Sequence, residues 1–450
     1  MKKRTHEIRD PIHTFIRLDS EEREVLNARP LQRLRHIHQL GLSYLVYPSA
    51  THKRFEHSLG VMELASRVFD VVTRPENIRH DPVRELLPNK DGLRYWRRVL
   101  RMAALCHDVG HLPFSHAAEA DLLPEGWDHE RLTAEIIRSD EMEAFWREMT
   151  PPLRSLDVIK LAVGPKKMAQ YAKAGVFRED EATFNDWETI LAEIIVGDAF
   201  GVDRMDYLLR DSHHVGVTYG RFDHYRLIDT LRILPAEHEE SKEPALGVEE
   251  GGLHSAEALL LARYFMYTQV YFHPVRRIYD IHLKDFLSAW LPNGRFSTEI
   301  KDHLSITDNE VSVAITQVSV EDKHAGHQHA RRIMERRHYR LVYQRNPRDM
   351  ALNNDAAEAV YGAVCQKFGA DNFRRDSYRQ KGGGGVDFPV LSTDERVVSS
   401  LEMSKTLNSL PVVAVDFIFA DPDIHEKVKQ WLDQNRKEII KPTEKEEADE

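Results

Sequence analysis

The residues best suited to chemistry in this 450-residue chain gather in the stretch 97–116, RRVLRMAALCHDVGHLPFSH. His107 and Asp108 stand side by side where an apolar helical stripe (Val99, Leu100, Ala103, Ala104, Leu105) runs inward, and His111 and His116 follow within nine positions. Burying an imidazole and a carboxylate is costly unless something neutralises them, and a divalent cation does so because both groups are its usual protein ligands. Two other segments offer one ligand each: His57 in RFEHS, 50 positions before His107, and Asp203 in GVDRMDYLLRD, 95 positions after Asp108. Two histidines and two carboxylates would leave open positions on Mn, Mg, Fe, Co, Ni or Zn, and an open position is what metal-assisted hydrolysis needs. Taken singly, each of the four also reads as a core hydrogen-bonder or a helix cap; only the set points to a metal.

Acid–base and anion-binding groups lie in the same segments. His116 and Glu119 are three apart and touch if SHAAE is helical; a histidine held by a carboxylate keeps a fixed tautomer and a raised pKa, which suits it to protonate a leaving group. Arg54 precedes His57 by three, and Arg204 adjoins Asp203. Asp203, Tyr207 and Asp211 fall at i, i+4, i+8, as do Arg263, Tyr267 and Tyr271. An arginine is more often a solvated charge and a tyrosine stripe more often core, so these positions stay open on residue type alone.

The elements that must position these groups are mostly helices. SEEREVLNA with Ser20 as N-cap, PLQRLRHIHQL ended by Gly41, the stretch from Val61 to Val68, WDHERLTAEIIRS, ETILAEIIV and 255–273 all show helical periodicity. The proline-bearing stretch 73–95 reads as a loop or short insertion, 235–252 as a hairpin or loop, DHLSITDNEVSVAI as a helix and PVVAVDFIFA as a strand. The expected fold is mainly α with a smaller mixed α/β C-terminal part: a core over 1–290, a C-terminal region over 291–440, and a disordered acidic tail over 441–450.

Composition sets the bounds. Sixty-two basic against 73 acidic residues give a net charge of −11, so nothing drives the whole chain toward nucleic acid, although the basic run ARRIMERRHYRLVYQR would suit a single strand. Two cysteines supply no disulfide framework, no apolar run spans a bilayer, and MKKRTHEIRDPIH lacks the apolar core of a secretory signal; a cytoplasmic protein without a membrane partner is expected.

RFEHSLGV, LCHDVGHLPFSH, WDHE and VDRMDYLLRDSHHVG, in this order, resemble the HD-domain superfamily, and within it the deoxynucleoside triphosphate (dNTP) triphosphohydrolases of the dGTPase-like type. The likeness covers about residues 10–280. It implies an HD-domain helical bundle whose metal ligands are His57, His107, Asp108 and Asp203. It also implies His116 with Glu119 as the general-acid pair, supported by His111, His129 and Glu130. The same resemblance assigns Arg54, Arg204 and Arg263 to the triphosphate, Tyr207 and Tyr271 to the nucleoside and Gln39 and Asp211 to the sugar 3′-hydroxyl. Tyr267 stands where the metazoan relative has histidine. Homo-oligomers (dimer, tetramer or hexamer) are implied, and so is a nucleotide effector read by Gln32 and Arg35, although the family's effector-reading aspartate is Asn27 here. A phosphodiesterase or single-strand 3′–5′ exonuclease is the alternative on the same metal core.

Overall fold

The computed structural model describes residues 5–115, 119–235, 244–379 and 386–441. The chain is mainly α-helical with small sheets, and it divides into two units that are discontinuous in sequence. The first comprises 1–266, 291–313 and 384–411; the second comprises 267–290, 314–383 and 412–450.

In the first unit the helix Arg54–Val72 packs against Lys90–Cys106 and against Val202–Val215, and Lys90–Cys106 packs on Ser155–Val163. The stripe read from sequence faces inward: Val99, Leu100, Ala103, Ala104 and Leu105 are all fully buried. Removing these side chains from water, at about 25 cal/mol per Å², is what holds the three site-bearing helices together. An antiparallel hairpin, Thr5–Asp10 with Thr14–Asp19, precedes them. A four-stranded sheet runs in the order Leu231–Pro235, Pro244–Glu249, Pro389–Leu391, Val397–Ser399, and its first two strands form the hairpin expected over 235–252.

In the second unit, strand Ala414–Ala420 lies between Arg340–Gln344 and Phe373–Arg379, antiparallel to both. Helices Ala356–Phe368 and His425–Ile439 cover one face through Val360, Val364, Val428 and Leu432; Ile278 and Tyr339 pack against Phe417 and Phe419 on the other.

Several local expectations are corrected. The first helix, Ser20–Asn27, is capped by Asp19 rather than Ser20, because Asp19 accepts from the Glu22 N–H (2.9 Å) while the Glu22 carboxylate accepts from the Asp19 N–H (3.0 Å). The stretch 73–95 is not simply a loop. Pro82 sits in the first turn of helix Asp81–Leu86, where its missing N–H is harmless, and Asn89 caps a helix that begins at Lys90. PLQRLRHIHQL stops being α-helical after Arg33: one tight turn, Leu34–His36, leads into extended backbone at Ile37, since the His38 N–H is taken by the Asp308 carboxylate. DHLSITDNEVSVAI is two helices, Ile300–His303 and Asp308–Val318, parted where Thr307 donates to Glu310. The helix expected over 255–273 is α-helical only from Leu253 to Met266 and continues as a π-helical turn, Tyr267–Tyr271. The acidic tail beyond residue 441 and the acid candidate His116 lie outside the described residues.

Candidate metal centre

Three helices deliver the four predicted ligands to one point. His57 lies in the first turn of Arg54–Val72, His107 and Asp108 directly follow Lys90–Cys106, and Asp203 lies in the first turn of Val202–Val215. His57 Nε2 is 3.0 Å from Asp203 Oδ1 and 3.6 Å from Asp108 Oδ2. His107 Nε2 is 3.4 Å from Asp108 Oδ1 and 3.5 Å from Asp203 Oδ1. Bond lengths of about 2.0–2.2 Å place neighbouring donors about 3.0–3.5 Å apart around one ion; His57, His107 and Asp108 form a group that could hold one, and Asp203 Oδ1 lies at that spacing from both imidazoles.

Both imidazoles are oriented by their other nitrogen. His107 Nδ1 is 2.8 Å from the Ala104 carbonyl, and His57 Nδ1 is 2.8 Å from Asp206 Oδ2. A proton on each Nδ1 satisfies those acceptors and leaves Nε2 with a lone pair turned to the carboxylates, the arrangement of a metal-ligating histidine with its supporting shell. His107 Nε2 is buried and makes no hydrogen bond among the described residues. A divalent ion fits these donors: it would use that nitrogen and neutralise the two acids that face it.

Asp206 is the residue that sequence reasoning passed over. It is fully buried and accepts from His57, from His13 Nε2 (2.7 Å) and from Arg210 (2.8 and 2.9 Å), while Arg210 also reaches Asp10 (2.8 Å). Helix 54–72 approaches this pair so closely that a Cβ at Gly60 would lie 1.9 Å from Asp206 Oδ1, so glycine is required there. Asp203 and Asp206 are three apart on one helix, and the pattern of the sequence does not say which faces the ion.

Charge is balanced locally. Burial opposes ionisation of Asp108, but Arg54, His107 and His111 hold its carboxyl well below the usual range. Arg54, itself buried, donates to Asp108 (2.5 Å) and through Nε to Ser115 Oγ (2.8 Å). Burial depresses the His57 imidazolium, but its bonds to Asp203 and Asp206 and the charges of Asp206 and Asp108 outweigh this and push it up to about 10.

Beside the four donors lies a second group. His111 Nε2 is 3.3 Å from Asp108 Oδ1, and its ring stacks on that of His129 at 3.9 Å. His129 Nδ1 is 2.6 Å from Glu119 and 3.2 Å from Glu130. Burial depresses both histidines. Arg54 and His129 add to the effect at His111, which lies well below its usual value, whereas Glu119 and Glu130 push His129 up to about 9. A Cβ at Gly110 would lie 2.2 Å from the His129 carbonyl, so this glycine permits the HD turn to reach the His129 helix. Glu119 also accepts from the His129 N–H (2.7 Å); its expected partner His116 lies outside the described residues. Lys167 bridges Asp128 (2.6 Å), which caps the His129 helix, and Glu130 (3.2 Å).

Arg204 bonds the Gly197 carbonyl (2.5 Å) and Asp198 (2.8 Å), and Arg263 reaches the Asp198 carbonyl (3.4 Å). Gln39 and Asp211 are joined by His52, which sequence reasoning also missed: the Gln39 N–H donates to the His52 carbonyl (3.0 Å) and His52 Nε2 lies 2.7 Å from Asp211. Tyr207 is half-buried on the Asp203 helix. Tyr267 and Tyr271 belong to the second unit, with rings edge-on at 5.1 Å. Of the predicted effector readers, Gln32 is bonded to the Leu26 carbonyl and to Arg35, whose guanidinium lies 3.5 Å from the Phe55 ring centre.

With this geometry in hand, comparison with known proteins gives the family. The HD domain model matches residues 54–163, which include His57, His107 and Asp108, and the HD associated region model matches residues 222–371. The chain belongs to the HD-domain phosphohydrolase family. Asp203 falls between the two matched segments.

A crystal structure of a hypothetical protein from Aquifex aeolicus is 31% identical with a TM-score of 0.74, and the alignment covers 95% of this chain and 100% of that one. The uncharacterized protein MJ1154 from Methanocaldococcus jannaschii is 35% identical over 62% of this chain and 48% of its own length. The protein named deoxynucleoside triphosphate triphosphohydrolase SAMHD1 from Bos taurus is 30% identical over 67% of this chain and 48% of its own length. The chain spans about half the length of the curated relatives it matches. Among the described residues no helix is long and apolar enough to cross a membrane.

Proposed function

We propose that this HD-domain chain is a metal-dependent dNTP triphosphohydrolase that converts a dNTP to the deoxynucleoside and tripolyphosphate. One observation carries the reading: His57 and His107, both anchored through Nδ1, turn Nε2 onto Asp108 and Asp203, with a buried guanidinium, Arg54, at the same carboxylate. The activity for which the SAMHD1 relatives are named supports the substrate class.

When bound, a divalent ion (Mn, Mg, Fe, Co, Ni or Zn) supplies Lewis acidity toward the phosphoryl oxygens and lowers the pKa of a water. Arg54, Arg204 and Arg263 balance the charge of the triphosphate. Neutral His111 and the His129–Glu119–Glu130 group form the proton-handling side of the site, and His116 delivers the proton to the departing 5′-oxygen as water attacks the α-phosphorus and the P–O5′ bond breaks. Tyr207 contacts the nucleoside. Gln39 and Asp211 read the 3′-hydroxyl, and a tyrosine closed on the sugar excludes a 2′-hydroxyl by steric clash. The working form is a cytoplasmic homo-oligomer.

The test is product analysis. The purified chain is incubated with each dNTP, each NTP and a labelled single-stranded oligonucleotide under a panel of divalent ions. Deoxynucleoside plus tripolyphosphate on ion exchange is the expected result. A nucleoside monophosphate with pyrophosphate, or a shortened oligonucleotide, contradicts it and favours a phosphodiesterase or exonuclease.

A further inference from the structure

The turn after the HD pair, residues 111–115, carries His111 and leads directly to His116. Its last two residues, Phe114 (φ +57°) and Ser115 (φ +62°), occupy left-handed backbone conformations that a bulky aromatic rarely adopts. Such a turn persists only where the surroundings over-determine it. Here they do. The Phe114 N–H donates to Asp308 Oδ1 (2.6 Å), the Ser115 hydroxyl donates to the His38 carbonyl (2.7 Å), and Arg33 donates to the His111 carbonyl (2.9 Å). The other oxygen of Asp308 accepts the His38 N–H (2.7 Å) and faces His38 Nδ1 (2.6 Å), and Arg33 also bonds the Ile306 carbonyl (3.0 Å). The His38 and Phe114 rings stack nearly parallel at 6.1 Å.

Asp308 is 1% exposed and opens the helix Asp308–Val318, about 200 positions after the turn it holds and inside the HD associated region. The chain of contacts continues toward the site: Ser115 Oγ accepts from Arg54, and Arg54 donates to Asp108. We infer that Asp308 is a positioning residue, which sets the turn 111–115 and, through Ser115 and Arg54, the geometry at Asp108. The inference rests on the hydrolase reading above. It gives the HD associated region a specific role, which is to complete from outside a catalytic turn that the HD segment cannot hold alone. Asp308 touches none of the four metal donors, so its loss spares metal binding and degrades the alignment of the reacting groups.

Asp308→Asn replaces one acceptor oxygen with an amino group that faces existing donors. In the full chain, metal content and KM are expected to stay within about twofold of wild type while kcat falls by about tenfold or more, since small misplacements at a reacting centre carry losses of that order. Ser115→Ala, which leaves the buried carboxylate in place, is expected to lower kcat by about fivefold. The double variant is expected to be no slower than Asp308→Asn alone, because both act through one turn. Amide exchange at Leu112, Phe114 and Ser115 is expected to accelerate in Asp308→Asn. A folded Asp308→Asn variant with wild-type kcat, a parallel loss of metal and KM, or multiplicative effects in the double variant would overturn the inference. If Asp308→Asn does not fold, Ser115→Ala decides: wild-type kcat there refutes it. Wild-type turnover in the same assay separates this failure from failure of the hydrolase reading, and the exchange measurement stands whether or not a substrate is turned over.

Discussion

The cluster around Asp108 and the arginine run 331–345 are both dense in ionisable side chains, and they balance their charges in opposite ways. In the run, Arg331 bonds Glu335, Arg332 bonds Asp421 and Arg337 bonds Asp423, each within 3.0 Å, and Tyr339 contributes its ring to a buried apolar cluster. Those arginines already have protein partners. Around Asp108 the donors face one another at 3.0–3.6 Å, and the buried His107 Nε2 is left without a hydrogen bond among the described residues. Charge density marks both stretches; buried donors converging without mutual satisfaction mark only one. This is the reason to read the first as a reaction centre and the second as an ion-paired surface.

The contrast can be broken by substitution. His107→Ala is expected to lower turnover by at least about a thousandfold, roughly 4 kcal/mol of transition-state stabilisation. Arg332→Ala and Arg337→Ala are expected to leave kcat and KM within about twofold, because both guanidinium groups are already engaged by carboxylates, Asp421 and Asp423. Steady-state kinetics on the three proteins checks this, and a large loss in either arginine variant would return the basic run to the site. A smaller effect is expected at the supporting shell. Asp206→Asn keeps the shape of the side chain but weakens its hold on His57 Nδ1, and should reduce metal affinity by about 10- to 100-fold, measured by competition with a chelator.

The smallest effect concerns a carboxylate outside both regions. Burial, together with the charge of Asp198 and against the bond from the Leu246 N–H, pushes Glu193 up to about 7. Its folded value exceeds its unfolded value, so the folded chain retains a proton there between about pH 4.5 and 7, and stability falls as pH rises through that window. Glu193→Gln should remove this dependence and raise stability by up to about 3 kcal/mol at pH 8 while changing little at pH 4. Thermal unfolding from pH 4 to 8 reads it directly, and an unchanged slope would contradict it.

Much of the site was legible because its ligands occupy helix ends. His57, His107, Asp108 and Asp203 are polar residues at the edge of apolar stripes, and periodicity locates such edges. What periodicity cannot resolve is orientation between near neighbours on one face. Asp203 and Asp206 are three apart; only packing against Gly60 and the buried Arg210 makes the second the anchor of His57 and leaves the first a third exposed. His52 sits in a polar, aperiodic stretch and Asp308 at the opening of a helix; both acquire their roles from contacts 159 and 270 positions away. The misread helix ends have the same cause. Local sequence continues a helix through His38, but a carboxylate distant in sequence takes its N–H; prolines suggest a loop over 73–95, whereas one of them opens a helix. The two-unit division interleaves segments, which no local pattern announces.

The account depends most on one ion held jointly by residues 57, 107, 108 and 203. The direct measurement is elemental analysis and Co²⁺ titration of the full chain beside His57→Ala and Asp203→Ala, with folding checked by circular dichroism. About one tightly bound ion per wild-type chain, absent or weakened at least tenfold in both variants, is the expected result. Undiminished metal binding in a folded Asp203→Ala or His57→Ala chain would contradict it.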